Sequence, residues 1–319
     1  MPDFIDLKIR NFCLSINESS LSIVKIKTGR NSFSLLSFGR EKLEKGIIKG
    51  GIVEKEEALV AAIDQACKKV KGEKLKTKFV TVSLPEEESF LQVIQMPKMT
   101  EDELKMAVTI EAENYIPMPI EQAYFDFQVI KPMEDGLDHL DVLIVAMSQK
   151  IVDSYISCVK RAGLIPIAVE IEPQAIARAL VKVETIDSPI ILVDISANKL
   201  EFVIFSGNSI RFTSSAPFLS AEMDTEKLIS HIQKYIDFYK EHASHEHIVG
   251  ESIVRKIMLC GGVPNLKDLA GFISQKIGIE TVVGDTFVNY PKKNRNRTRL
   301  KDPSQYAAVL GLALRSLNQ

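Results

Sequence analysis

Leu14-Ser15-Ile16-Asn17-Glu18-Ser19-Ser20-Leu21-Ser22-Ile23-Val24 lies over Val193-Asp194-Ile195-Ser196-Ala197-Asn198-Lys199-Leu200-Glu201-Phe202-Val203 without a gap. Both stretches run apolar, polar, apolar, then through a short polar turn, then alternate again. Period-two alternation on either side of a tight polar turn is the pattern of a β-hairpin. A hairpin of one design in each half of a chain predicts an internal duplication, and a duplication settles the architecture before any other feature does.

Strands and helices alternate outward from both hairpins, which is an α/β signal. In the first part, Glu56–Val70 reads as a helix with Leu59, Val60, Ile63, Cys67 and Val70 on one face. Phe79–Leu84 and Phe90–Met96 read as strands, the second closed by Pro97. Thr100-Glu101-Asp102-Glu103 is a capping box opening a helix that carries Leu104, Ala107, Val108, Ala112 and Tyr115. Asp141–Met147, a helix through Val159 that stops at Gly163, and Ile165–Glu170 follow. After Ser188 the opening pattern returns: a strand to Asp194, a turn, Leu200–Ser206, and a Gly207-Asn208 hairpin turn. Thr225–Tyr239 is a helix, and Lys256–Leu259 is a strand that runs into Gly261-Gly262. Asn265 caps a further helix, and Gln305–Leu314 is a short closing one.

Composition narrows the function. Lys plus Arg (40) nearly balance Asp plus Glu (42), which argues against a surface built for nucleic acid. Lys292–Lys301 places six cations in ten residues, and no aromatic interleaves them for stacking on bases. That run suits anionic lipid or an acidic partner, or is a solvated loop. Cys13, Cys67, Cys158 and Cys260 form no C-x-x-C pair and sit in apolar patterns, as reduced buried thiols do. No apolar run reaches a membrane span, and the first residues show no basic region followed by an apolar stretch, so the cytoplasm is expected. His242, His245 and His247 match no zinc spacing and read as exposed loop histidines. Glu86-Glu87-Glu88 reads as a solvated tip between strands.

The hairpin in each half, followed by Gly261-Gly262 at a strand-to-helix junction, resembles the actin/Hsp70/sugar-kinase layout. The middle of the chain is more specific. Gln95-Met96-Pro97-Lys98-Met99, then Glu111-Ala112-Glu113-Asn114-Tyr115-Ile116-Pro117-Met118-Pro119-Ile120 and Asp126-Phe127, is similar to the inserted subdomain of the PilM family of type IV pilus assembly proteins. Ala162-Gly163-Leu164-Ile165-Pro166 and Ala308-Val309-Leu310-Gly311-Leu312-Ala313-Leu314-Arg315 are similar to further signatures of that family. The resemblance covers nearly the whole chain; FtsA is a near relative of the family and the cytoplasmic part of GspL a more distant one.

The resemblance implies an actin-like (ribonuclease H-like, duplicated) α/β fold, two halves with a small α+β subdomain inserted in the first. The expected divisions are 1–78 for the start of the first half, 79–170 for the insertion, 171–187 for the return, and 188–319 for a second half with a reduced outer subdomain. It implies a scaffold rather than an enzyme of turnover, at the inner face of the inner membrane. The expected partner is the N-terminal cytoplasmic tail of a PilN-like protein, taken in a groove beside the insertion. Pilus motor ATPases, a homo-oligomer or ring, and peripheral membrane contact are the further associations implied. Met96, Pro97, Met99, Tyr115, Ile116, Pro117 and Met118 are the expected groove residues, since adaptable thioethers and stiff prolines suit an extended peptide.

The resemblance also implies ATP with Mg²⁺ between the halves. The corresponding contacts are Ser15, Asn17, Ser19 and Ser20 in the first hairpin, Asp194, Ser196 and Asn198 in the second, and Gly261 with Gly262. Here the chain departs from the pattern of the family it resembles. Ser15, Asn17 and Ser22 stand where an acid, a glycine and a lysine are usual, and Ser196 replaces a second glycine. A hydroxyl cannot supply the charge that positions Mg²⁺ through water. The segment after Ser220 is short and lacks the usual lysine, so efficient hydrolysis is not expected. The rival readings are an actin-superfamily ATPase or sugar kinase using Asp194, and an FtsA-like polymer-forming protein.

Overall fold

The computed structural model describes residues 10–29, 32–130, 138–182, 188–218, 224–242, 253–291 and 300–315. The first hairpin is β1 (Phe12–Ile16) and β2 (Ser20–Gly29), with β3 (Ser32–Lys42) folded back beside β2. A small ribbon, β4 (Ile48–Lys49) and β5 (Ile52–Val53), leads to α1 (Glu56–Lys68). β6 (Lys71–Gly72) then pairs with β3, and β7 (Phe79–Leu84) enters parallel to β1. An excursion follows through β8 (Ser89–Pro97), α2 (Glu101–Ala112), β9 (Ala123–Val129) and β10 (His139–Ser148). The chain returns by α3 (Gln149–Arg161) to β11 (Ile165–Ile171), parallel to β7, and then α4 (Glu172–Leu180). The second half is β12 (Ile190–Ile195), β13 (Lys199–Ser206), β14 (Ser209–Pro217), α5 (Thr225–His242), β15 (Lys256–Gly261), α6 (Leu266–Ile277) and β16 (Glu280–Val283), closed by α7 (Ala307–Arg315).

The duplication is visible strand by strand. The first sheet runs β11-β7-β1-β2-β3-β6 and the second β14-β13-β12-β15-β16, the same order apart from β6. The gapless overlay holds in register as well. Leu14 faces Ile23 and Ser15 faces Ser22, as Val193 faces Phe202 and Asp194 faces Glu201. Both turns close alike, Asn17 N donating to Ser20 O at 3.1 Å and Ser196 N to Lys199 O at 3.0 Å. Two ribonuclease H-like halves in tandem make this the actin-like fold.

Alternation along the central strands sorts side chains to opposite faces. Phe12, Leu14 and Ile16 enter a core with Leu59 and Ile63 of α1 and Tyr155 and Val159 of α3, while Cys13 joins Val24, Phe33 and the α7 side chains. In the second half Ile191, Val193 and Ile195 face α5 and α6, whereas Ile190 and Leu192 meet Ile176 and Leu180 of α4. The pair α4 and α7 therefore lies at the joint between the two sheets. Their approach is close enough that a Cβ on Gly311 would stand 1.7 Å from the Ala175 carbonyl oxygen. Only glycine fits there.

The insertion is narrower than 79–170. β7 and β11 belong to the first sheet, so the separate unit is the three-stranded sheet β8-β10-β9, spanning residues 89–148, with α2 packed on it. A strand buried on both faces shows no pattern that tells which sheet it joins. The capping box of α2 forms as read, Thr100 Oγ1 accepting from Glu103 N and Glu103 Oε2 from Thr100 N. Asn265 precedes α6 in a left-handed conformation (φ 55°) and makes no capping hydrogen bond, contrary to expectation. Gly207 and Asn208 take positive φ (57° and 65°), as a tight hairpin turn requires. Between β14 and β15 the described residues hold a single helix, α5. His245, His247 and residues 292–299 of the basic run lie outside the described residues.

Candidate functional site

The two hairpin turns meet across the cleft between the halves. Glu18 accepts from Gly50 N at 3.2 Å and from Asn198 Nδ2 at 3.1 Å, so the first turn is tied to the second. Asn17 Oδ1 accepts from the Ser19 and Ser20 amides at 3.1 and 2.8 Å and from both hydroxyls. That is an Asx-type turn, and it satisfies the amides that would otherwise face a phosphate. Asn17 Nδ2 and Ser15 Oγ donate to Glu172 Oε1 at 3.4 and 3.0 Å.

Glu172 stands at the first position of α4 and is 1% exposed. Beside it the Lys199 ammonium reaches Glu87 Oε1 at 2.9 Å, Glu201 Oε2 at 3.2 Å and Glu172 Oε2 at 3.8 Å. Glu86, from the turn between β7 and β8, is also buried. Glu86 and Glu87 are thus not a solvated tip: the turn folds into the cleft against Lys199. Burial pushes the carboxyls of Glu86 and Glu172 up to about 7, against the opposing pull of Lys199. It drives Glu201 well above the carboxylate range and raises Asp194, which Arg40 and Lys199 partly offset. Burial works against the charge on Lys199, yet Glu201, Glu172 and Glu87 outweigh it and hold the ammonium well above its ordinary range.

The opposite wall is equally occupied. Ser196 N and Oγ both donate to Lys199 O, at 3.0 and 3.1 Å. Cys260 Sγ donates to Asp194 Oδ1 at 3.5 Å. Gly261 has φ +115°, and an added Cβ would fall 2.2 Å from Ile195 O, so this glycine serves the close strand crossing. The Arg40 guanidinium lies over Gly262, within 3.2 Å of where a Cβ would be, and donates to Gln305 O at 2.7 Å. The space left among Ser15, Asn17, Ser22, Glu172, Asp194, Ser196 and Gly262 is about 20 Å³. That is room for one water, whereas small-molecule pockets run to roughly 300 Å³ or more. The structure brings the sequence-expected nucleotide residues together, but as arranged they do not fit a nucleoside triphosphate. Amides are engaged and volume is lacking. Lys199, Glu86, Glu87 and Glu172 escaped sequence reading because no motif flags a charge whose partners, Glu201 apart, are brought to Lys199 from far along the chain.

A larger opening lies beside the inserted sheet. A groove of about 650 Å³ runs between β9, which offers Tyr124, Phe125, Phe127 and Gln128, and a wall of α3, β11 and α4. β9 and β11 are each the last strand of their sheets, so two unpaired strand edges border it. Its floor carries Glu170, whose carboxylate accepts from Arg178 at 2.6 and 3.0 Å and from Arg315 at 3.0 Å. At the side, Tyr124 OH donates to Asp153 Oδ1 at 3.1 Å. A second opening of about 700 Å³ continues past Gln128, Gln174 and Arg178 toward Phe205 and Asn208 of the second half.

None of the seven residues expected in a partner groove lines this opening. Met96 and Ile116 are buried in the core of the inserted unit, and Met99 and Met118 pack against it. Tyr115, Pro97 and Pro117 are exposed elsewhere on that unit. Period-3.6 and strand patterns do not separate an apolar residue that fills a small core from one that lines a trench.

The family profile described as type IV pilus assembly protein PilM matches residues 13–226 and 216–317, nearly the whole chain. The chain belongs to the PilM family. Its role is therefore in type IV pilus assembly. The solved structure of a PilM-PilN type IV pilus biogenesis complex is similar at 21% identity, covering 97% of this chain and 99% of that one with a TM-score of 0.77. More distant likenesses are the ethanolamine utilization protein EutJ of Carboxydothermus hydrogenoformans (13% identity, 95% and 89% covered, TM-score 0.49) and the cytoplasmic domain of Vibrio cholerae EpsL (11% identity, 80% and 83% covered, TM-score 0.45). Among the described residues of this PilM-family chain no helix is long and apolar enough to cross a membrane.

Proposed function

We propose that this chain is a cytoplasmic scaffold of the pilus assembly platform that holds the N-terminal tail of a PilN-like membrane protein in the groove between β9 and the α3–β11–α4 wall. The observation that carries the reading is a groove of about 650 Å³ bordered by two unpaired strand edges and lined by aromatic side chains. An extended tail adds backbone hydrogen bonds along such an edge and sets alternate side chains into apolar pockets. Membership of the PilM family supports it, and the similar solved structure is of a PilM with PilN. A scaffold held by such a tail sits at the inner face of the membrane.

The test is fluorescence anisotropy with a synthetic peptide of the cytoplasmic tail of the PilN-like protein from the same genome. Saturable binding is expected, weakened about tenfold by Tyr124→Ala, a loss of ~1.4 kcal/mol. Tyr115→Ala, on the exposed side of the inserted unit, is expected to leave it unchanged. Absence of saturable binding, or a loss with Tyr115→Ala and none with Tyr124→Ala, would refute the placement.

A further inference from the structure

The cleft has the shape of a cation site with its cation already supplied. Glu87 comes from the turn after β7, Glu172 from α4 and Glu201 from β13, and these three converge on the one ammonium of Lys199, whose charge also acts on the buried Glu86 of the same turn. The burial is near complete: Glu201 is 0% exposed, Glu172 1%, Glu86 5% and Lys199 5%. Glu201 Oε1 and Oε2, Glu172 Oε2 and Glu86 Oε2 receive no hydrogen bond. Carboxylate oxygens in that state are costly unless a positive charge stands among them. Among the described residues no three acidic, His or Cys side chains are arranged to hold a metal ion.

The partners of Lys199 belong to different halves. Glu87 and Glu172 lie in the first, Lys199 and Glu201 in the second, so the ammonium bridges the cleft from inside. In an arrangement with ATP, phosphates and their Mg²⁺ would make that bridge. Here a tethered amine makes it, at no cost in bound ligand and with no dependence on ligand concentration.

We propose that the Lys199 ammonium is the resident cation of the cleft and closes the two halves on each other in place of a nucleotide. The lysine comes from the second hairpin, whose turn ends at Lys199, while the first hairpin brings only neutral Ser15, Asn17 and Ser22 to the same cleft. It follows that removing the amine leaves converging carboxylates with a vacancy among them. Oxygen ligands of adaptable geometry are what Ca²⁺ takes. The lysine variant should therefore acquire a response to Ca²⁺ that the natural protein does not have.

Two measurements test this, neither involving the tail peptide, so their failure leaves the docking reading standing and the reverse. In the first, the natural protein is titrated with MgATP by calorimetry and by thermal shift. No binding and no movement of Tm are expected, and micromolar binding would overturn the proposal. In the second, Lys199→Ala is compared with the natural protein with and without millimolar CaCl2. The variant is expected to melt roughly 5–10 °C lower and to recover part of that loss with Ca²⁺, while the natural protein does not shift. A variant as stable as the natural protein, or one indifferent to Ca²⁺, overturns it. Should Lys199→Ala not be recovered folded in chelator, its recovery when CaCl2 is present throughout supports the proposal, and failure there too counts against it.

Discussion

Replacing Gly311 by alanine should cost stability, whereas the same replacement at Gly271 should add it. Both glycines lie inside helices, Gly311 in α7 and Gly271 in α6, so the chemical change is one methyl group in each case. At Gly311 the new Cβ would lie 1.7 Å from Ala175 O, 2.6 Å from Ala175 C and 3.1 Å from Ala179 N. All three are backbone atoms of α4, so no rotamer change relieves the clash. Ordinary contact lies near 3.5 Å, so α4 and α7 must separate by about 1.5 Å or more, which opens the packing on either side. Overpacking costs ~1–3 kcal/mol, and a rigid backbone neighbour puts this site at or above the top of that range. The gain in helix propensity returns ~1 kcal/mol, leaving a net loss of about 2–3 kcal/mol. At Gly271 nothing lies within 4 Å of the added atom, so the propensity term stands alone and the variant gains up to ~1 kcal/mol.

Urea unfolding followed by circular dichroism measures both, with the midpoint as the primary readout. The slope is compared first, since two halves can unfold in separate steps. The consequence extends to the groove, because α4 carries Gln174 and Arg178 on its wall. Gly311→Ala should therefore weaken tail-peptide binding as well, while Gly271→Ala leaves it unchanged. If Gly311→Ala unfolds at the urea concentration of the natural protein or above it, then the close joint of α4 and α7 is wrong, and the wall built on α4 with it.

Glu170→Ala should cost about 1–3 kcal/mol, less than a fully buried ion pair because Arg178 and Arg315 are 29% and 32% exposed, and urea midpoints of this variant and of Glu170→Gln check it. The cleft makes stability fall as pH rises: Glu86 and Glu172 go from 4.5 in the unfolded chain to about 7 when buried, so the folded state holds their protons longer, and its advantage is present below 4.5 and gone above 7. That loss is on the order of 3 kcal/mol for each carboxyl across the window, and Glu172→Gln, which mimics the protonated side chain, should remove its share and flatten the measured pH dependence of the urea midpoint.

The legible part of the fold was the part written locally. The two hairpins are decided by neighbours in sequence, and their registers agree residue for residue from Leu14 against Val193 onward. The capping box at Thr100 and the turn at Gly207-Asn208 are likewise local, and both form. The extent of the insertion was not legible, since β7 is an apolar run whose sheet is chosen by β1, more than sixty residues earlier. Asn265 has the composition of a cap and a backbone that does not use it. The charges in the cleft were hidden for the same reason as β7. Glu86 and Lys199 look like surface residues until the tertiary fold brings oppositely charged side chains around them, and 112 positions separate Lys199 from its nearest partner, Glu87. The methionines and prolines around Met96 and Pro117 carried the family resemblance, but a thioether suits a small core as well as a trench, and the core has the methionines.

Cleft and groove meet in a single element. α4 is nine residues long, begins in the cleft with Glu172, and presents Gln174 and Arg178 to the groove within its next two turns. A helix that short has no means of moving one end without the other. If nucleotide closed the cleft, the position of α4, and the groove wall with it, would vary with the nucleotide state. With Lys199 holding Glu172, the wall is set once, when the chain folds. A preformed groove spares an incoming tail the cost of ordering its receptor, which favours a lasting attachment over a switched one. The coupling must also run backward, since linkage is reciprocal. Tail peptide bound in the groove should raise the thermal stability of Lys199→Ala more than that of the natural protein, because it restores from the groove side the hold on α4 that the lysine otherwise provides.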